Sequence, residues 1–373
     1  MNLAINITDN PSGGARTQVL NMLKYFNEIE GINIIIYTKK KNLSFLKDVI
    51  TINNKVIIST FSSISVAFRI LWEQFFLPFY LKKNKIDVLF CPANTAPYFS
   101  STKTVQWIGT IGPFWNKIYT YDISLFIKFK LWINKIIMYK SAQKSDAVIF
   151  ESIYTQKMFQ ENYDIKLEKS HVIQIGKDDF FHSDINANKE LINDSFILCV
   201  SHLYFYKNIP RMIDSFAIAK KRTNTKMKLL IAGSKTSNKY QNLIIKRIKK
   251  NKLENSVILL GSVSKTDLKY YYSKCDFFIF SSPCENFAYT LVEAMSCGAA
   301  ILSSNTTAMP ETCEDAAIYF NPFDKDDFSN KIELFINNEK LKNKLKLKAL
   351  KRVKKLPNYQ DVTKKTFQII KNL

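Results

Sequence analysis

Short apolar runs alternate with amphipathic stretches of helical period along the whole chain. Residues 3–8, 32–38, 56–59, 87–91, 105–108, 147–150 and 172–175 read as strands. Val19, Leu23 and Phe26 mark a helix after the first of them. Ile64, Phe68, Leu71, Phe75 and Phe79 recur at helical spacing, with Pro78 near the end and Lys82, Lys83 and Lys85 beyond. Such a stripe ordinarily faces a core; beside a lysine cluster it also suits a membrane interface. Leu125, Phe129, Trp132, Ile136 and Tyr139 mark a long helix that carries Lys128, Lys130, Lys135, Lys140 and Lys144, a face that is either solvated or meets lipid phosphates. Residues 183–194 are polar and aperiodic, which reads as a linker. Strands resume at 196–201, 227–232 and 257–260, a helix follows at 266–274, and the Lys-rich tail from 327 is helical with a break at Pro357. Strands alternating with helices predict an α/β protein with parallel sheets.

The most informative stretch is 276–310. An aromatic strand at 276–281 runs into Ser282, Pro283 and Cys284. A helical pattern starts near 287 with Leu291 and Met295 on one face, Gly298 sits where a left-handed residue would stop it, and a second strand follows at 300–303. This is a βαβ unit. The helix start offers free backbone N–H groups and the positive end of a dipole, which suit a phosphate. Glu285 in the loop and Glu293 two turns into the helix would repel that phosphate, so they must reach past it to hydroxyl groups, with the dipole keeping them ionised as acceptors. A nucleotide sugar fits that demand; a helix-start charge and a solvated face residue fit the spacing equally well. Gly13 and Gly14, between the first strand and its helix, would let a ligand approach the backbone closely, although no G-x-G-x-x-G fingerprint is present. Lys207, between a strand end and a helix start, is a natural phosphate ligand. The loops leaving the strands at 87–91 and 105–108 lie where open α/β sheets bind ligands.

The chain has 373 residues, 46% of them hydrophobic, enough for two α/β domains. No apolar run reaches transmembrane length, and the first residues read as a strand without the charged start and apolar middle of a signal peptide, so a cytoplasmic protein is expected. The six cysteines show no C-x-x-C pairing and read as buried free thiols in a reducing compartment. The formal net charge of +22 calls for an anionic partner or a Lys-rich composition. No nucleic-acid motif accompanies it, which favours an anionic membrane surface and no nucleic acid. Asp324-Lys-Asp326 formally matches a metal-binding D-x-D, but its exposed turn reads as a helix cap, and no metal is assigned. His171 and His182 receive no catalytic role.

Glu285-Asn-Phe-Ala-Tyr-Thr-Leu-Val-Glu293 resembles the E-x7-E motif of the retaining glycosyltransferases of family 4. Ala294-Met295-Ser296-Cys297-Gly298 resembles that family's following signature, and Ser303-Ser304-Asn305 and Pro310-Glu311 fall where it has similar residues. The resemblance implies the GT-B fold: two Rossmann-like domains whose parallel sheets face each other across a cleft. The boundaries would be 1–185 for the acceptor side, 186–356 for the donor side and 357–373 for a helix crossing back. It also implies a nucleotide-diphosphate sugar donor of UDP or GDP type and a lipid-linked or oligosaccharide acceptor. No cofactor or metal is implied, and the place would be surface polysaccharide synthesis, peripheral on the inner face of the plasma membrane. Carried over by position, Lys207 would meet the donor diphosphate, Glu285 the sugar hydroxyls around C3 and Glu293 the ribose. His202 stands where the family usually has an Arg on the diphosphate. Gly13 and Gly14 match the loop facing the phosphates and acceptor, and Gly261 the loop that cradles the base. Asn286, Phe287, Ala288, Thr290 and Leu291 complete the donor contacts. The chain departs from the family at Asn286 and Ala288, where Gly-containing residues are usual, and at Gly109 or Thr110, where many members place a His. The same fold also hosts sugar epimerases and phosphorylases. A non-catalytic basic protein binding membrane or nucleic acid would account for the charge without chemistry.

Overall fold

The computed structural model describes all residues except 10, 12, 184–191 and 193. Most of the linker expected at 183–194 therefore lies outside the described residues. The chain divides into two compact units, one formed by Met1–Gly176 with Pro357–Leu373 and the other by Lys177–Leu356.

The first unit is built on seven parallel strands: β1 (Asn2–Ile7), β2 (Asn33–Thr38), β3 (Lys55–Ile58), β4 (Val88–Cys91), β5 (Lys103–Ile108), β6 (Ala147–Phe150) and β7 (Ser170–Val172). Their order across the sheet is β3-β2-β1-β4-β5-β6-β7. Alternate residues of β1 serve opposite faces, as the period of two requires. Leu3, Ile5 and Ile7 pack with Val19, Met22, Leu23 and Phe26 of α1 (Gly14–Phe26) and with Val362 and Ile370 of the final helix, Tyr359–Lys371. Ala4 packs on the other side with Trp72, Leu77 and Leu81.

The aromatic stripe at 64–79 is where the structure departs most from the sequence pattern. The segment is a helix α2 (Val66–Leu71), a π-helical turn (Trp72–Phe76) and a helix α3 (Leu77–Lys83), with Pro78 in the first turn of α3. Ile64, Phe68, Leu71, Phe75 and Phe79 are exposed, whereas Trp72 and Leu77 between them and Leu81 just beyond enter the core. The apolar period therefore has two faces, and the one picked out by spacing alone is not the core face.

The second unit holds six parallel strands: β8 (Phe196–Val200), β9 (Lys228–Ala232), β10 (Val257–Gly261), β11 (Phe277–Phe280), β12 (Ile301–Ser304) and β13 (Ala317–Phe320), in the order β10-β9-β8-β11-β12-β13. β13 was not legible as a strand in the sequence. Beneath the sheet, Met212, Ile213 and Phe216 pack with Ile197, Leu229, Phe328 and Ile332, and Phe320 stacks on Phe328 with ring centroids 3.7 Å apart. The chain runs outward from β8 to β9 and β10, then returns to place β11 on the other side of β8. The crevice between the C-terminal ends of β8 and β11 is thus a topological switch point, the place where open α/β sheets bind ligands.

Candidate active site

The loops leaving β8 and β11 meet over this crevice. After β8, the chain turns through Phe205–Lys207 and enters a helix, Ile209–Thr223, through Asn208 in a left-handed conformation. The backbone here is pinned from outside: Ser281 Oγ donates to the Lys207 carbonyl at 2.7 Å, and Asn208 Nδ2 and Arg211 Nη1 each donate to the Pro322 carbonyl at 2.8 Å. The Lys207 ammonium lies over the Tyr206 ring at 4.9 Å and forms a half-buried ion pair with Glu285. Burial pushes the Lys207 pKa down, but Glu285 outweighs it, so the group is held above its ordinary value and stays charged. Burial pushes the Tyr206 phenol up to about 12. Two residues remote in sequence, assigned to one ligand by resemblance, thus face each other across the switch point.

The Glu285 loop is laced by the last residue of β12 and the turn that follows it. Ser304 Oγ donates to the Ser282 carbonyl at 2.6 Å, Thr306 Oγ1 to the Pro283 carbonyl at 2.8 Å, and the Glu285 amide donates to Thr307 Oγ1 at 3.1 Å. Thr306 and Thr307 were missed from sequence, since only the fold brings them to the site. The helix beyond is Tyr289–Ser296, two residues later than its periodicity suggested, and Gly298 takes the expected left-handed conformation after it. No side chain caps its start at Ala288. Asn286, Phe287, Ala288 and Leu291 are buried, so the Phe287 and Leu291 side chains serve packing, whereas Thr290 is partly open to solvent.

Glu293, on the second turn, accepts a hydrogen bond from the Tyr272 hydroxyl at 2.9 Å. Tyr272 is fully buried against Phe278 and Phe181 and was also missed from sequence. Burial raises the Glu293 pKa to about 7, with Tyr272 pulling it back and Asp178 adding to the rise. The expectation that the helix dipole keeps this carboxylate ionised gives way to desolvation, the larger effect beyond the first turn of a helix.

The remaining second-unit residues lie along the same strand edge. His202 Nδ1 is 2.7 Å from Ser234 Oγ, and burial together with Lys207 lowers its pKa, so the ring is neutral near pH 7. The Gly233 amide donates to the Gly261 carbonyl at 2.7 Å, tying the ends of β9 and β10 together. Asp324 Oδ1 accepts from the amides of Asp326 and Asp327 at 2.9 and 3.1 Å, the helix cap its sequence suggested. Among the described residues, no group of three or more His, Cys, Asp or Glu is placed to hold a metal ion.

Gly13 and Gly14 belong to the first unit and start α1 there, with the Gly13 carbonyl accepting from the Arg16 and Thr17 amides. In the same unit, the Gly109 amide donates to Asn94 Oδ1 at 2.7 Å, and a Cβ built on Gly109 would lie 3.3 Å from Glu151 Oε1. Glu151 is itself fixed by the Trp107 indole at 2.9 Å. The loop where the related family often has a His therefore presents two side-chain oxygens next to a glycine.

Residues 182–352 match the family model described as glycosyl transferases group 1. Two proteins of Escherichia coli are similar in sequence. One is the serotype-specific mannosyltransferase WbdA, 28% identical over 163 residues, or 44% of this chain and 20% of that protein. The other is O-antigen chain mannosyltransferase B, 28% identical over 123 residues, or 33% of this chain and 32% of that protein. The matched stretches thus span a third or less of these curated relatives. Sucrose-phosphate synthase from Thermosynechococcus elongatus superposes with a TM-score of 0.79 at 15% identity, over 100% of this chain and 98% of that one. Anabaena HepE, solved in complex with UDP and glucose, gives a TM-score of 0.77 at 15% identity over 100% of both chains. The fold is GT-B, and the family match together with it supports a group 1 glycosyltransferase.

Proposed function

We propose that this protein is a retaining, metal-independent glycosyltransferase that needs no resident cofactor. It moves a hexose-type sugar from a UDP- or GDP-type donor to a lipid-linked or oligosaccharide acceptor in bacterial surface polysaccharide synthesis. It works from the inner face of the plasma membrane. The observation that carries this reading is the Lys207–Glu285 pair spanning the β8/β11 switch point, beside an uncapped helix start. A diphosphate in that crevice takes the ammonium and the helix-start amides, and the sugar hydroxyls take Glu285. The acceptor oxygen attacks C1 as the bond from C1 to the phosphate oxygen breaks. The electron pair leaves with the diphosphate, and the acceptor's proton passes to the departing oxygen on the same face. Fixed positive potential stabilises the leaving group without reorganisation. The O-antigen assignment of one relative and the UDP held by one structural neighbour favour this acceptor class and donor type.

Glu285→Gln is expected to lower kcat about 10- to 100-fold, the worth of one hydrogen bond to an ionised group. Steady-state kinetics with unchanged turnover would remove Glu285 from its role.

Glu293 gives the reading a pH signature. Ribose hydroxyls need the ionised carboxylate as acceptor, and its pKa lies at about 7. Donor binding therefore favours the deprotonated form: affinity is level above pH 7 and falls about tenfold for each unit below it. Tyr272 stabilises the carboxylate, so Tyr272→Phe should move the midpoint to higher pH. Calorimetric titration of donor across pH reads this directly; a flat profile in wild type would contradict it. Glu293→Gln should raise the donor dissociation constant and leave kcat near its wild-type value.

A further inference from the structure

The first unit's opening stretch ends at Gly176, and the second unit begins with Lys177. The residues that follow fasten onto the helix Lys265–Lys274. Lys265 Nζ donates to Asp178 Oδ2 at 2.6 Å and lies 4.7 and 5.5 Å from the Phe180 and Phe181 ring centroids. Lys269 Nζ donates to His182 Nε2 at 2.7 Å and lies 5.6 Å from the Phe180 ring. The segment folds on itself to allow this: Asp178 Oδ1 accepts from the Phe180 amide at 3.0 Å, and the Asp178 carbonyl accepts from the Phe181 amide at 3.1 Å. The turn leaves Phe180 and His182 exposed and buries Phe181.

Phe181 leads to the donor site. Its ring meets that of Tyr272 edge-on with centroids 5.8 Å apart, and Tyr272 meets Phe278 at 5.5 Å. Held by both rings, the Tyr272 hydroxyl donates to Glu293 at 2.9 Å. Glu293 itself keeps part of its surface open, as a carboxylate that meets a ligand must. Behind burial and Tyr272, Asp178 opposes its ionisation and Lys265 favours it. Cys297, one turn on, is pushed up to about 11 by burial and stays neutral, and Lys269 is committed to His182.

We propose that the segment by which the chain enters the second unit is part of the donor site. Phe181 is a positioning residue that acts through Tyr272, and the Asp178–Lys265 pair is a charge balance on Glu293. Both roles rest on the donor reading, in which Glu293 takes the ribose hydroxyls. An ion pair whose lysine is 51% exposed adds little to stability, so the use of this one lies in its opposed charges rather than in holding the fold.

The test is calorimetric titration of UDP and GDP into the full chain across pH. Asp178→Asn keeps the acceptor for the Phe180 amide and loses the charge; Lys265→Met keeps the stem over the rings and loses the charge. Asp178→Asn should move the midpoint of nucleotide binding to lower pH and Lys265→Met to higher pH, each by about half a unit, less than a touching charge gives. One unit below the Glu293 midpoint of about 7, that is roughly threefold tighter and roughly threefold weaker binding. Well above it both variants should bind like wild type, and the double variant should return to the wild-type midpoint. Phe181→Leu should move the midpoint up, as Tyr272→Phe does, leave kcat near its wild-type value, and add nothing in a Tyr272→Phe background. Asp179→Asn removes the same charge from the exposed neighbour and should leave the profile in place. Midpoints that stay put, shifts of Asp178→Asn and Lys265→Met in the same direction, or equal weakening of both at every pH would overturn the charge balance. Additive effects of Phe181→Leu and Tyr272→Phe would overturn the positioning role. NMR titration of the Glu293 carboxyl, on isotope-labelled glutamate and assigned with Glu293→Gln, reads the same midpoints without nucleotide. If wild type binds neither nucleotide at any pH, the donor reading fails, and the NMR midpoints still uphold or overturn the charge balance.

Discussion

Replacing Lys207 with alanine is expected to slow donor turnover by about 10²- to 10³-fold, the usual loss when a preorganised electrostatic stabiliser is removed. The leaving diphosphate gathers charge as the glycosidic bond breaks, and Lys207 is a full cation held charged at the crevice by Glu285. His202, beside it, is kept neutral by burial and by Lys207 itself and cannot take over at pH 7. The loop should survive the change, because Ser281 holds its backbone and Asn208 and Arg211 hold the turn after it, none of them through the Lys207 side chain. The alanine variant also leaves the Glu285 carboxylate facing the diphosphate without its counter-charge, so donor affinity should fall as well. Adding Glu285→Gln should restore part of that affinity and none of the rate. Nucleotide release from UDP- and GDP-sugars needs no known acceptor and measures both effects. A Lys207→Ala protein turning over at the wild-type rate would remove the leaving-group role.

The second large effect is structural. A Cβ on Gly233 would lie 1.9 Å from the Ser201 carbonyl oxygen and 2.6 Å from its carbon, at a φ of +150°. The obstacle is backbone, which a rotamer change cannot relieve. Gly233→Ala should cost about 1–3 kcal/mol in backbone strain and about 1–3 kcal/mol more in overpacking, and separate the His202–Ser234 pair from the end of β10. Urea unfolding followed by a signal from the second unit reads the loss. Ser234→Ala, which deletes one hydroxyl, should cost about 1 kcal/mol and serves as the control. An unchanged midpoint for Gly233→Ala would mean that the strand ends are not held as described.

What the sequence made legible was local. The βαβ unit at 276–310 announces itself because strand, loop, helix and left-handed stop follow one another within a few turns of chain. The Asp324 cap is equally local. The partners of the site residues were not legible, since Tyr272 with Glu293, Ser234 with His202, and Thr307 with Glu285 meet only through the sheet order. The stripe at 64–79 shows a different limit. Periodicity fixes which residues share a face, but not whether that face meets protein or solvent, and the π-helical turn at Trp72–Phe76 shifts the phase halfway along. Glu293 shows a third: proximity to a helix start suggested an ionised carboxylate, and only the packing around it shows that burial wins.

The central claim is that a nucleotide diphosphate sits at the β8/β11 switch point, and a crystal soaked with UDP or GDP tests it most directly. The account predicts diphosphate density within hydrogen-bonding reach of Lys207 Nζ and the amides around Ala288–Thr290, with the ribose against Glu293 and Glu285 free of the phosphates. Nucleotide bound elsewhere in the second unit, or Glu285 in contact with phosphate oxygens, would contradict it.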